Sequence, residues 1–125
     1  MAGEIPENLL YSVEHEWFDP GSGWMGITDH AQDELGDVVF VELPEAGKQL
    51  TAGEPFMVVE SMKAVSDIYA PVDGRVADRN DSLEDNPEKV NSDPYSDGRL
   101  VRIENPGDSS DLMDSEKYSA YLENQ

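Results

Sequence analysis

Residues 55 to 71 hold two short apolar runs, Pro55-Phe56-Met57-Val58-Val59 and Ile68-Tyr69-Ala70-Pro71, separated by Glu60-Ser61-Met62-Lys63-Ala64-Val65-Ser66-Asp67. Apolar runs this short, bounded by prolines, read as strands rather than helices, and the polar stretch between them reads as the bend that joins them. The middle of the chain is therefore committed to an antiparallel hairpin with Lys63 at its tip. A two-residue loop of Met62-Lys63 lacks the Asn-Gly or Asp-Gly that positive-φ hairpin turns favour. Strand pairing and burial, not turn chemistry, are expected to fix the hairpin, with a type I turn leaving the lysine in solvent. The chain has only four lysines, at 48, 63, 89 and 117, and only Lys63 sits at such an apex. An isolated Met-Lys-Ala would be one more solvated surface lysine. At an apex it is an exposed, positioned amine of the kind an attaching enzyme requires.

Much of the remaining chain also reads as short strands. Tyr11, Val13, His15 and Trp17 alternate with Ser12, Glu14, Glu16 and Phe18, which predicts one half-buried strand. Asp19-Pro20-Gly21-Ser22-Gly23 is turn material, and Trp24-Met25-Gly26-Ile27 returns from it as the second arm of a hairpin. Thr28 or Asp29 caps a short helix, with Gln32 as capping-box partner, Gly36 as the stop and His30 in the first turn. Asp37 to Leu43 reads as a strand with Val39, Val41 and Leu43 on one face and Val38 and Phe40 on the other. Pro44-Glu45-Ala46-Gly47-Lys48 and Pro71-Val72-Asp73-Gly74-Arg75 share a Pro-x-x-Gly-basic pattern, either a quasi-repeat or two ordinary turns. Asp78 to Ser82 begins like a calcium loop, but Leu83 replaces the glycine such a loop needs at its sixth position. Arg99 to Ile103 is a last strand. Residues from about 111 to 122 read as a C-terminal helix whose Tyr118, Tyr121 and Leu122 form an apolar stripe suited to core packing. Residues 1 to 10 read as a loosely held arm.

Composition narrows the chemistry. At 125 residues the chain suits a single domain, 1 to 125, with one core. It has no cysteine and two histidines, which excludes a disulfide framework and disfavours a zinc centre. With 28 acids against 8 bases the net charge is −20, unfavourable for nucleic-acid or anionic-membrane partners. The acids are interleaved with apolar positions rather than run in blocks, the pattern of a folded acidic surface rather than of disorder. Such a surface suits a salt-rich cytoplasm, where screening removes its self-repulsion. No segment reads as a signal peptide or membrane span, so a soluble cytoplasmic protein is expected. Without a nucleophile paired to a base, the chain reads as a carrier whose cofactor supplies the chemistry.

Several ordered blocks resemble one family. Glu60-Ser61-Met62-Lys63-Ala64 with Ser66-Asp67 and Tyr69-Ala70-Pro71 is similar to the lipoyl-lysine segment of the glycine cleavage system H proteins. The likeness extends to Glu14-His15-Glu16-Trp17, Gly26 to Gln32, Leu35 to Pro44 and Asn91-Ser92-Asp93-Pro94-Tyr95, in the family's order. Arg99 departs from the resemblance, standing where an aromatic is common, and so does Met62, where valine is more usual.

The resemblance implies a mainly β fold, a flattened hybrid barrel or sandwich of the lipoyl/biotinyl type with short helices and a C-terminal helix. It implies lipoate joined by an amide to Lys63, and a monomeric carrier, not an enzyme. Its partners would be a pyridoxal-phosphate glycine decarboxylase, a tetrahydrofolate-dependent aminomethyltransferase, a flavin dihydrolipoyl dehydrogenase and a lipoate attachment enzyme. Tethering would make each visit local, replacing free diffusion with effective concentration. It also implies groove residues Glu14, Glu16 and Asp67, with His30 nearby, to hold the ammonium of the loaded arm by charge-assisted hydrogen bonds. Met62 keeps a biotin carrier as the alternative, and an unmodified scaffold or lipoate-transfer relay is a further one.

Overall fold

The computed structural model describes residues 4–125. Among them, β1 (Leu10–Tyr11), β2 (Glu16–Phe18), β3 (Trp24–Ile27), β4 (Val38–Glu42), β5 (Gln49–Leu50), β6 (Pro55–Ser61), β7 (Val65–Tyr69), β8 (Gly74–Arg79) and β9 (Val101–Glu104) form two antiparallel sheets. The larger runs β1-β2-β3-β9-β8-β5 and the smaller β4-β6-β7. Helices α1 (Asp29–Leu35), α2 (Lys89–Ser92) and α3 (Ser115–Glu123) complete the chain, with a 3-10 turn at Asp81–Glu84. The expected β-rich hybrid fold is present as two facing sheets that do not close into a barrel.

One core lies between the sheets. Phe18, Met25, Ile27, Val101 and Ile103 enter it from the larger sheet, and Val41, Met57, Val59 and Ile68 from the smaller. Burying such a side chain is worth about 1.5–3 kcal/mol. A one-residue slip of β6 would turn Met57, Val59 and Ser61 outward together, so burial holds the central hairpin in register. A second cluster packs Leu9, Tyr11, Trp17 and Tyr118, with Tyr121 and Leu122 against it. The Tyr11 and Tyr118 rings stack at 4.6 Å, so the stripe on the C-terminal helix packs inward as expected.

Four sequence expectations change. The predicted strand from Tyr11 to Phe18 is instead a hairpin, pairing Leu10 with Phe18 and Tyr11 with Trp17. The reversal closes through Ser12 N–H to Glu16 O at 2.9 Å and His15 N–H to Ser12 O at 3.1 Å, with His15 at φ 68°. In β4 a bulge intervenes: Val38 pairs with Ser61 but Phe40 with Glu60. Val38 and Val41 are buried while Val39 and Phe40 are each 49% exposed, so the expected faces do not hold. The C-terminal helix starts at Ser115, capped by the Asp114 side chain, because Met113 instead exchanges backbone hydrogen bonds with Tyr11. The last strand starts at Val101, and Arg99 places its guanidinium 4.5 Å from the Trp24 ring centroid, a cation–π contact.

Other expectations meet their partners. Thr28 caps α1 by accepting from Ala31 N–H, and Gln32 bonds Asp29. Gly26 leaves room for the indole of Trp17, since a Cβ there would lie 2.9 Å from Trp17 Nε1, which donates to Pro94 O. The two Pro-x-x-Gly-basic segments meet side by side, with β5 paired to β8 and Gly47 N–H bonded to Val76 O. Asn80, in the calcium-like stretch, donates to Asp97 O and Arg99 O, a structural loop tie. Of the expected arm, residues 1–3 lie outside the described residues. Farther along it, Tyr95 Oη donates to Glu4 O, Tyr11 Oη donates to Pro6 O, and Leu9 is buried.

Candidate functional site

Lys63 sits on the exposed tip of the β6–β7 hairpin, where Val58, Val59 and Glu60 pair with Asp67, Ser66 and Val65. Ser61 N–H donates to Ala64 O at 2.8 Å and closes the turn over Met62 and Lys63. Neither of those residues has positive φ, consistent with an unprimed turn. Turn chemistry nonetheless contributes, contrary to expectation, because Ser61 Oγ accepts from Lys63 N–H at 3.2 Å and Ala64 N–H at 3.1 Å. A serine opening a turn is a local signal carried by the sequence itself.

The lysine stem rests on Gly36, the residue that ends α1. Gly36 has φ 85°, and a Cβ on it would lie 3.2 Å from Lys63 Cε. Met62 N–H donates to Asp37 O at 2.9 Å, so the tip is held from the side as well as by its own strands. Met62 and Val65, on either side of the lysine, are 76% and 70% exposed.

Beside the hairpin lies an open cleft of about 340 Å³. Ala64 to Ile68 form one wall; Glu14 and His15 of the β1–β2 turn, Ile27, and Ala31, Glu34 and Leu35 of α1 form the other. Its lining is apolar at Ile27, Ala31, Leu35 and Ile68, with carboxylates at Glu14, Glu34 and Asp67. A larger depression of about 600 Å³ lies elsewhere, along Glu42 to Lys48 with Phe56 and Met57, and holds none of the singled-out residues.

The structure thus brings Glu14 and Asp67 to the cleft but places Glu16 and His30 differently. Glu16 is 1% exposed. Its Oε1 accepts from the Ser12 hydroxyl and its Oε2 from Tyr69 N–H at 3.1 Å, while its own N–H donates to Ser12 Oγ at 3.1 Å. It therefore ties the turn bearing Glu14 and His15 to the strand bearing Asp67, from beneath the wall. Burial pushes its carboxyl up to about 7, against the opposing pull of the hydrogen bonds from Ser12 and Tyr69. His30 stands behind His15, ring centroids 4.7 Å apart, with Nε2 buried 3.4 Å from Glu34 Oε1. His15 is the wall residue; its Nδ1 meets Tyr118 Oη at 2.9 Å. Burial first, and His30 second, lower its pKa. His15 and Glu34 line the cleft without a sequence signal, since a reversal at Ser12 and the approach of α1 to β7 leave no local pattern.

Comparison with known proteins bears on this site. The sequence model of the glycine cleavage H-protein family matches residues 9–125. The glycine cleavage system H protein of Rubrobacter xylanophilus is 53% identical over 124 residues, covering 98% of each chain. That of Halorhodospira halophila is 51% identical over 123 residues, covering 96% of this chain and 94% of the relative. Among solved structures, a glycine cleavage system H protein from Mycobacterium marinum superposes with a TM-score of 0.83 at 36% identity, covering 95% of this chain and 99% of that one.

Proposed function

This chain belongs to the glycine cleavage H-protein family, and on that premise we propose that Lys63 is the residue that carries its lipoyl group. The protein is a lipoyl carrier of the glycine cleavage system, a cofactor-bearing component rather than a catalyst. The observation that carries the assignment to Lys63 is its place: an exposed amine on a turn held by Ser61 and by Asp37, next to a cleft with an apolar lining and a carboxylate rim. The biotin-carrier alternative suggested by Met62 gives way to the family.

The residues present fit such a group. Amide formation at Nζ removes the lysine charge, and the stem lying over Gly36 starts beside Leu35, which lines the cleft. A bound lipoyl group would supply a redox-active disulfide able to accept the aminomethyl carbon of glycine on one sulfur. The chain supplies shelter: Ile27, Ala31, Leu35 and Ile68 exclude water, and Glu14, Asp67 and Glu34 accept hydrogen bonds from an ammonium. Glu16 and His30 act one step back, holding the wall. Its partners are components of that system, here read as the pyridoxal-phosphate decarboxylase, the aminomethyltransferase, the flavin dehydrogenase and the enzyme that attaches lipoate. We read the chain as a cytoplasmic monomer adapted to high salt.

The mass of the Lys63 peptide from native material tests the assignment. A lipoyl adduct is expected there and at none of Lys48, Lys89 or Lys117, and Lys63→Arg should abolish decarboxylase exchange activity. A biotin adduct, or native Lys63 without any acyl group, would overturn it.

A further inference from the structure

We propose that Asn91 is a positioning residue for Lys63, acting through the segment Gly36-Asp37-Val38. This rests on Lys63 being the modified residue. Asn91 Nδ2 donates to Gly36 O at 2.8 Å and to Gln32 Oε1 at 3.0 Å, while Oδ1 accepts from Val38 N–H at 2.8 Å. One planar amide, using both donors and its acceptor, grips the first and last residues of that segment.

Each residue of the segment meets one residue of the turn. Val38 pairs with Ser61, the Asp37 carbonyl accepts from Met62 N–H, and Gly36 backs the Lys63 stem. The segment continues the β4–β6 pairing past the end of the strand and flanks the hairpin tip. It emerges from the C-terminus of α1, where carbonyls lack intrahelical partners and a positive-φ glycine redirects the chain. Asn91 fills that gap: it satisfies the Gly36 carbonyl and the N–H of buried Val38. Removing it leaves both groups unsatisfied and frees the support against which the lysine is aimed. The Asn91-Ser92-Asp93-Pro94-Tyr95 block thereby acquires a role in presenting a residue distant from it in sequence.

The test uses the full chain before modification. Asn91→Ala is expected to speed amide exchange at Met62 by about tenfold or more while Val59, at the centre of β6, keeps its wild-type rate. Lipoate transfer to Lys63 by the attaching enzyme should lose about tenfold in kcat/KM, carried by kcat, because the exposed surface around the tip is unaltered but the amine is misplaced. Asn91→Asp keeps the acceptor for Val38 and loses both donors. It turns a carboxylate oxygen toward the Gly36 carbonyl and Gln32 Oε1 in place of the donor, so it should also quicken exchange at Met62, and it carries the measurement if Asn91→Ala does not fold. In the wild type, Val38 and Met62 amides should share one opening in denaturant-dependent exchange. Unchanged exchange at Met62, unchanged kcat, or separate openings would overturn the proposal. Wild-type protein not acylated at Lys63 would instead sink the attachment assignment, leaving the exchange data to judge Asn91.

Discussion

Glu16 shows how far a single residue's surroundings can depart from its sequence pattern. Alternation makes it a surface or groove acid, yet it is fully buried and its carboxyl is pushed up to about 7 by that burial. The unfolded chain releases this proton near the ordinary value of 4.5, so between the two the folded state holds more protons. Stability should therefore fall as pH rises from about 4.5 to 7, by on the order of 3 kcal/mol, and level off above. His15 acts the other way: its lowered pKa leaves the folded state with fewer protons than the unfolded state at mildly acidic pH, so its contribution rises with pH. Glu16→Gln separates the two, since the amide still bridges Ser12 and Tyr69 without titrating. Urea midpoints at pH 5 and 7.5 should show the downward component only with Glu16. If the variant retains it, the buried carboxyl is not its source.

At the scale of elements, the hairpin is held by three devices of different origin. Burial of Met57, Val59 and Ile68 sets its register, Ser61 Oγ organises its turn, and the Gly36 to Val38 segment braces its outer side. Ser61→Ala removes the hydroxyl that accepts two turn N–H groups and should cost about 1 kcal/mol. Because those amides are near solvent, the loss should be local. Hydrogen exchange at Lys63 and Ala64 should quicken while Val59 holds its rate, whereas a uniform change along β6 would argue that the serine acts on the whole sheet. Helix α3 is coupled to the cleft in a comparable way. Tyr118 Oη meets both Thr28 Oγ1, the cap of α1, and His15 Nδ1, so the C-terminal helix supports two cleft elements through one hydroxyl.

For the whole molecule, charge is the dominant feature. Against a net charge of −20, the described residues form ion pairs at Arg75–Glu104, Arg79–Asp81 and Arg102–Asp78. Exposed pairs contribute only about 0–1 kcal/mol each, so they do not offset the self-repulsion of the remaining acids. Salt can, since the screening length is about 3 Å at 1 M and about 30 Å at 0.01 M. Calorimetry should show Tm falling substantially on dialysis from molar to millimolar salt. A Tm flat across that range would refute the reading of a salt-adapted surface. The same charge favours partners with basic docking faces and salt-dependent association rates.

Much of this protein was legible residue by residue. The two apolar runs around Lys63, the cap at Thr28, the turn at Asp19 to Gly23 and the apolar stripe of the last helix are signals carried by neighbours in the chain. The family followed from ordered blocks, and with it the attachment lysine and the cleft acids Glu14 and Asp67 as expectations. Other features arose only when distant segments met. Burial of Glu16 depends on Tyr69, the bulge in β4 on β6, the cleft wall at Glu34 on α1 facing β7, and the role of Asn91 on a segment far upstream. Local pattern reports what a residue prefers beside its neighbours, whereas burial and hydrogen-bond partners depend on what the folded chain brings against it.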